Sequence, residues 1–235
     1  MKQNKKLPGS PKSKQEPISR LAQFIDHTIL KADATLSDLK RICDEAKHWH
    51  FKGVCVNACN IEFVAKELKD TGVLAIAVVG FPLGASTAKA KAFEARGAIS
   101  AGAREIDMVI NLGALKSQDY RTVIEDIEQV VEASKPFPVK VILETASLTD
   151  EEKIIASALA KGAGAAFVKT STGFGAGGAH IKDVALMRRI VGTDMGVKAS
   201  GGIKTLEDAK AMLNAGANRL GCSTSVAIVQ ALEKS

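Results

Sequence analysis

Short runs of apolar and β-branched residues recur along the chain, each bounded by glycine or polar loops and followed by a longer segment of helical periodicity. The runs predict strands near 24–29, 53–57, 74–79, 105–110, 139–144, 165–170, 196–200 and 219–223. Between them the pattern predicts helices near 36–49, 61–69, 88–100, 121–133, 150–161, 181–190 and 206–214. Thr149 with Glu152, and Thr205 with Asp208, read as capping boxes at helix starts. Three helix ends repeat as Ala101-Gly102-Ala103, Lys161-Gly162-Ala163 and Ala215-Gly216-Ala217, where glycine supplies the left-handed cap before a strand. About eight parallel strands, each with a helix after it, predict a (β/α)8 TIM barrel and not an open doubly wound sheet. Such barrels place their chemistry at the C-terminal ends of the strands.

Three charged residues interrupt strands that ought to be apolar. Lys169 ends the run Ala165-Ala166-Phe167-Val168, Lys198 sits in Gly196-Val197-Lys198-Ala199-Ser200, and Asp107 lies within Glu105-Ile106-Asp107-Met108-Val109-Ile110. Burial strips an ammonium of its hydration and disfavours its charged form, so a strand lysine needs a reason to be there. Two lysines on successive strands supply one, because each charge makes the other a better neutral nucleophile. If the three helix ends align, odd offsets from the capping glycines put Asp107, Lys169 and Ser223 on one strand face. Glu144 and Asp26 are further carboxylates near strand ends and could pair with the lysines, whereas Lys140, near the start of its strand, reads as scaffold.

Phosphate is the next chemistry suggested. Ser200-Gly201-Gly202-Ile203-Lys204-Thr205 and Gly221-Cys222-Ser223-Thr224 follow the seventh and eighth strands and lead into helices, which is where barrels of this kind hold phosphate. Gly173-Phe174-Gly175-Ala176-Gly177-Gly178 matches a dinucleotide fingerprint, but it follows the sixth strand and reads as a flexible loop over the barrel mouth. His48 and His50 point to different helix faces, His27 and His180 are isolated, and Cys55 and Cys59 run from strand to loop, so no metal cluster emerges. No nucleophile-elbow serine is present either.

Composition narrows the classes further. The 235 residues are 46% hydrophobic, 25% charged and 4% aromatic, ordinary for a globular chain with one sizeable core. Five of the lysines and one glutamate fall in residues 1–17 and carry +4 of the formal +6, leaving the body nearly neutral. A neutral, aromatic-poor body excludes nucleic acid as a partner, and those first 17 residues read as a disordered basic leader before a single barrel over 18–235. No apolar run approaches the roughly 18 residues that span a bilayer. The leader lacks the apolar core of a secretory signal and Cys43, Cys55, Cys59 and Cys222 read as reduced thiols, which together predict a cytoplasmic protein.

Four separated motifs then carry a resemblance that runs from about residue 18 to the end of the chain. Phe167-Val168-Lys169-Thr170-Ser171-Thr172-Gly173-Phe174 and Val197-Lys198-Ala199-Ser200-Gly201-Gly202-Ile203 resemble the two lysine motifs of the deoxyribose-phosphate aldolase family. Glu105 to Asn111 resembles its aspartate strand, and Ile25-Asp26-His27-Thr28-Ile29-Leu30 its first strand. The resemblance implies a class I aldolase that reversibly cleaves 2-deoxy-D-ribose 5-phosphate to acetaldehyde and D-glyceraldehyde 3-phosphate. Lys169 would form the Schiff base, Lys198 would favour its neutral form, and Asp107 would relay protons through water with Lys198. Gly173, Gly201, Gly202, Ser223 and Thr224 match phosphate-side positions, while Thr28, Cys55 and Thr172 match substrate-pocket positions. Some members of the family carry a lysine at the place of Phe174. The protonated imine is itself the electron sink, so no cofactor and no metal is expected. The phosphosugar is the expected partner, in a homo-oligomer of two or four copies. Two other readings stay open: a different phosphate-binding barrel enzyme, such as a sugar-phosphate isomerase working through a carboxylate base, and a non-catalytic phosphosugar sensor, against which Lys169, Lys198 and Asp107 argue.

Overall fold

The structure, a computed structural model, describes residues 20–234. The basic leader expected over 1–17 lies outside the described residues. Eight parallel strands close into a barrel in sequence order: β1 (Ile25–Thr28), β2 (Gly53–Asn57), β3 (Leu74–Val79), β4 (Glu105–Val109), β5 (Val139–Ile142), β6 (Phe167–Lys169), β7 (Gly196–Ser200) and β8 (Arg219–Cys222). The helices outside them are α1 (Leu36–Trp49), α2 (Ile61–Glu67), α3 (Ala88–Ser100), α4 (Leu112–Lys116), α5 (Tyr120–Ser134), α6 (Asp150–Gly162), α7 (Ile181–Val191), α8 (Leu206–Asn214) and α9 (Ser225–Glu233). The expected (β/α)8 TIM barrel is therefore the fold. Among the described residues no helix is long and apolar enough to cross a membrane.

The local signals explain most element boundaries. Capping boxes at Thr149–Glu152 and Thr205–Asp208 open α6 and α8, and a third, Thr35 with Asp38, opens α1. The repeated helix end differs from expectation at one place. Helix α6 runs through Gly162, and the left-handed residue is Gly164 (φ 80°), alongside Gly102 (φ 110°) and Gly216 (φ 112°). The shared motif is thus Ala-Gly-Ala, and in each copy the last alanine N–H donates back to a carbonyl five residues earlier, Ala103 to Ala98, Ala165 to Ala160 and Ala217 to Met212. The correction places Asp107 and Lys169 the same five residues past their caps. Helix α4 is absent from the hydrophobic pattern because it is only five residues long and holds Gly113.

Period-two alternation divides each strand between two environments. Outward residues such as Val54, Ala77, Met108, Val141, Val168, Val197 and Leu220 join the helices in the main apolar core. Inside the barrel, Cys55, Ile76 and Val78 form a separate small apolar cluster on β2 and β3. On the remaining strands Asp26, Glu105, Asp107, Lys140, Lys169, Lys198 and Arg219 bring charge into the interior. Gly196 makes room there: a Cβ at that position would sit 2.0 Å from the Phe167 ring.

Candidate active site

The register of the barrel brings the charged strand residues together. Asp107 on β4 is level with Lys140 on β5, and Lys169 on β6 is level with Lys198 on β7. Asp107 accepts from Lys140 Nζ at 2.8 Å on Oδ1, and from Lys169 and Lys198 Nζ, each at 2.8 Å, on Oδ2. Burial alone would raise the Asp107 pKa, but the three ammonium groups hold it well below the usual carboxylate range. Lys198 also donates to Asp26 Oδ2 at 2.5 Å. Burial would lower the Lys198 pKa, yet the carboxylates of Asp107 and Asp26 outweigh it and leave the pKa raised, so Lys198 is a fixed cation. Lys140, expected to be scaffold, is in direct contact with the same carboxylate.

Above this cluster, at the C-terminal ends of the strands, opens a cavity of about 340 Å³. Lys169 lines it, whereas Asp107, Lys140 and Lys198 do not and lie underneath. Thr28, Thr172, Gly173, Gly201, Gly202, Ser223 and Thr224 all line the cavity, together with Phe174, Ser200 and Cys222. Cys55 does not; its thiol faces Asp107 Oδ2 at 4.0 Å, and burial pushes its pKa up to about 11. Lys31 and Lys204 stand exposed at the rim, and no carboxylate is among the lining residues. The N-terminus of α9 enters at Thr224, with no side chain capping it. The cavity therefore offers lysines, glycine backbone and a helix N-terminus, which is an environment for an anion.

The glycine-rich stretch after β6 is packed against two neighbours. Glu144, in the left-handed region (φ 56°), accepts through Oε2 from the N–H of Thr172 at 3.3 Å and from its hydroxyl. Further along, a Cβ on Gly178 would meet the Gly201 carbonyl at 2.3 Å, so the two loops touch through glycine. Sequence reasoning did not find Lys31 or the Glu144 contact. The first is an exposed lysine with no pattern to mark it, and the second depends on a backbone turn that no motif announces. His27 is not isolated: it lies between the Glu45 carboxylate at 2.7 Å and the Ser225 hydroxyl at 3.0 Å. Among the described residues no group of three or more histidine, cysteine or acidic side chains could hold a metal ion.

Residues 20–231 match the DeoC/LacD family of aldolases. This chain belongs to that family. DeoC/LacD aldolases are carbon–carbon lyases, and the cavity that Lys169 lines lies at the C-terminal strand ends, where a (β/α)8 enzyme keeps its chemistry. The chain is similar to the deoxyribose-phosphate aldolase of Staphylococcus carnosus, 56% identical over 212 residues that cover 90% of this chain and 96% of the relative. It is 59% identical to that of Clostridium novyi over 211 residues, covering 89% and 95%. In three dimensions it resembles the tetrameric deoxyribose phosphate aldolase of Aeropyrum pernix, with a TM-score of 0.86 at 30% identity, covering 94% of this chain and 95% of that one.

Proposed function

We propose that this DeoC/LacD aldolase reversibly cleaves 2-deoxy-D-ribose 5-phosphate to acetaldehyde and D-glyceraldehyde 3-phosphate through a Schiff base on Lys169. The observation that carries the reading is that, of the three lysines on Asp107, only Lys169 lines the cavity. Its Nζ attacks the aldehyde carbon of the open-chain sugar, and loss of water leaves a protonated imine. Removal of the C3 hydroxyl proton breaks the C2–C3 bond, and the electron pair flows into the iminium to give an enamine. Protonation of the enamine and hydrolysis then release acetaldehyde and restore Lys169.

Lys198 and Asp107 serve this sequence without leaving the floor of the site. Lys198 stays charged beside the amine and favours its neutral, nucleophilic form, while Asp107, bonded to both Lys169 and Lys198, relays protons through water together with Lys198. At the mouth, Gly173, Gly201, Gly202, Ser223 and Thr224 present backbone and hydroxyl donors to the phosphate, and Lys31 and Lys204 add charge where Phe174 has none. Thr28 and Thr172 contact the sugar portion, and Cys55 lines the underside of the floor. No metal or cofactor takes part in this scheme. The sequence-based expectation of a cytoplasmic, homo-oligomeric enzyme accompanies it, and the tetrameric Aeropyrum pernix relative supports assembly; a monomer by light scattering would contradict that part.

The test is an assay of 2-deoxy-D-ribose 5-phosphate cleavage with acetaldehyde and D-glyceraldehyde 3-phosphate detected separately. Equal release of both is expected. A product with the carbon skeleton of the substrate intact would favour an isomerase, and binding without turnover a sensor.

A further inference from the structure

The charged interior extends below the site and closes on itself. Arg219 Nη1 donates to Asp26 Oδ1 at 2.9 Å, and Asp26 Oδ2 accepts from Lys198 at 2.5 Å. Lys198 donates to Asp107 Oδ2 at 2.8 Å, and Asp107 Oδ1 accepts from Lys140 at 2.8 Å. Lys140 reaches Glu105 Oε2 at 2.5 Å, and Glu105 accepts from Arg219 Nη1 at 3.0 Å and Nη2 at 3.3 Å, which completes the circuit. Three cations alternate with three carboxylates, so the ring is formally neutral. The Phe167 ring lies beneath it, 5.7 Å from Lys140 Nζ and 5.3 Å from the Arg219 guanidinium carbon.

Lys169 hangs on this ring as a seventh member, bonded to an Asp107 oxygen that Lys198 already occupies. Its ammonium would be a fourth cation among three carboxylates, while its neutral amine leaves the cluster uncharged. The other cations on its cavity, Lys31 and Lys204, are exposed at the rim, where solvent screens them. Burial pushes the Cys55 thiol up to about 11 and the Cys222 thiol up to about 12, so both are neutral, and the Glu144 carboxylate accepts from Thr172 instead of joining the ring. In a buried cluster such as this one, unit charges act on one another with less screening than at the surface.

We propose that Arg219 and Glu105, which do not line the cavity, are positioning residues that set the protonation state of Lys169 through this closed ring. The inference rests on Lys169 being the imine-forming lysine. Removing the Arg219 charge leaves the ring with one carboxylate in excess, which favours the Lys169 ammonium. Removing the Glu105 charge leaves one cation in excess, which favours the neutral amine. The two residues therefore act with opposite signs, from positions that substrate does not touch.

The experiment measures the rate of imine formation with acetaldehyde as a function of pH in the full chain, with borohydride trapping and peptide mapping as the control. Arg219→Met is expected to move the pH midpoint up by about one unit, a tenfold drop in reactive amine at fixed pH, and Glu105→Gln to move it down by a similar amount. The double variant is expected to return towards the wild-type midpoint, and Arg219→Lys, which keeps the charge, to restore it. If Arg219→Met does not fold, Glu105→Gln, which keeps the side-chain shape, and Arg219→Lys carry the same signed test. A purely structural role would lower the melting temperature of both variants without moving their midpoints in opposite directions. A wild-type protein with no adduct on Lys169 would overturn the Schiff-base reading and the inference with it. A normal Lys169 adduct with unmoved midpoints would overturn the inference alone.

Discussion

Lys198 inside the barrel and Lys91 between helices α3 and α5 are, with Lys140, the fully buried lysines among the described residues, and burial has opposite results for Lys198 and Lys91. Lys198 meets two carboxylates, Asp107 and Asp26, and these overcome the burial that would lower its pKa, leaving it raised. Lys91 meets one, Asp126 at 2.6 Å, plus the Val109 carbonyl at 2.9 Å. There burial wins: it lowers the Lys91 pKa against the pull of Asp126, and raises that of Asp126, whose Oδ1 has no partner among the described residues. The same residue type thus has its pKa raised in one place and lowered in the other. What differs is the number of carboxylates bonded to each, and this separates the lysine proposed to serve the chemistry from one that ties α3 to the end of β4 and to α5.

Breaking each lysine should expose that difference. Lys198→Leu is expected to lower kcat at least about 1,000-fold, about 4 kcal/mol in transition-state terms, with the fold retained. Arg219 still satisfies Asp26, and Lys140 and Lys169 still satisfy Asp107. Its pH midpoint for imine formation should also rise, because the neutral Lys169 amine then lacks a neighbouring cation. A folded variant with near-normal turnover would remove Lys198 from the mechanism. Lys91→Met should do the reverse: stability falls by about 3 kcal/mol in denaturant unfolding, as for a broken buried pair, while kcat of the folded protein changes little. Adding Asp126→Leu should restore most of that loss, since an apolar pair needs no partner.

Acid sharpens the comparison with a smaller effect. The folded pKa of Asp107 lies below its ordinary value of 3.8, so its contribution to stability is present above that value and is lost as pH falls through the depressed one. Asp126, with a raised pKa, has the opposite sign: its contribution is complete below 3.8 and declines as pH rises through the folded value. Asp107→Asn should therefore flatten the acid limb of the stability curve, and Asp126→Asn should leave that limb as steep. Equal slopes in wild type and Asp107→Asn would contradict the assignment.

Much of this arrangement was legible in the sequence, because a charged residue inside an apolar strand run is a local anomaly. Asp107, Lys169 and Lys198 stood out for that reason, and the period of two was enough to suggest that Asp107 and Lys169 share a face. Lys140 was not legible as a partner. Its place near the start of β5 describes one strand, whereas its contact with Asp107 comes from the stagger between β4 and β5, which pairs Asp107 with Lys140. The same holds for Glu105 and Arg219: both open their strands, and only barrel closure brings β8 beside β1 and across from β4. The glycine loops after β6, β7 and β8 were readable as a mouth because backbone freedom there is written in composition. The latch of Glu144 on Thr172 was not, since it depends on a single left-handed residue that is not glycine.

The central claim, that Lys169 is the nucleophile and the buried lysines beneath it are not, is tested most directly by borohydride reduction in the presence of acetaldehyde, followed by peptide mass mapping. A single two-carbon adduct on Lys169 is predicted. An adduct on Lys198 or Lys140, or no adduct at all, would contradict the account.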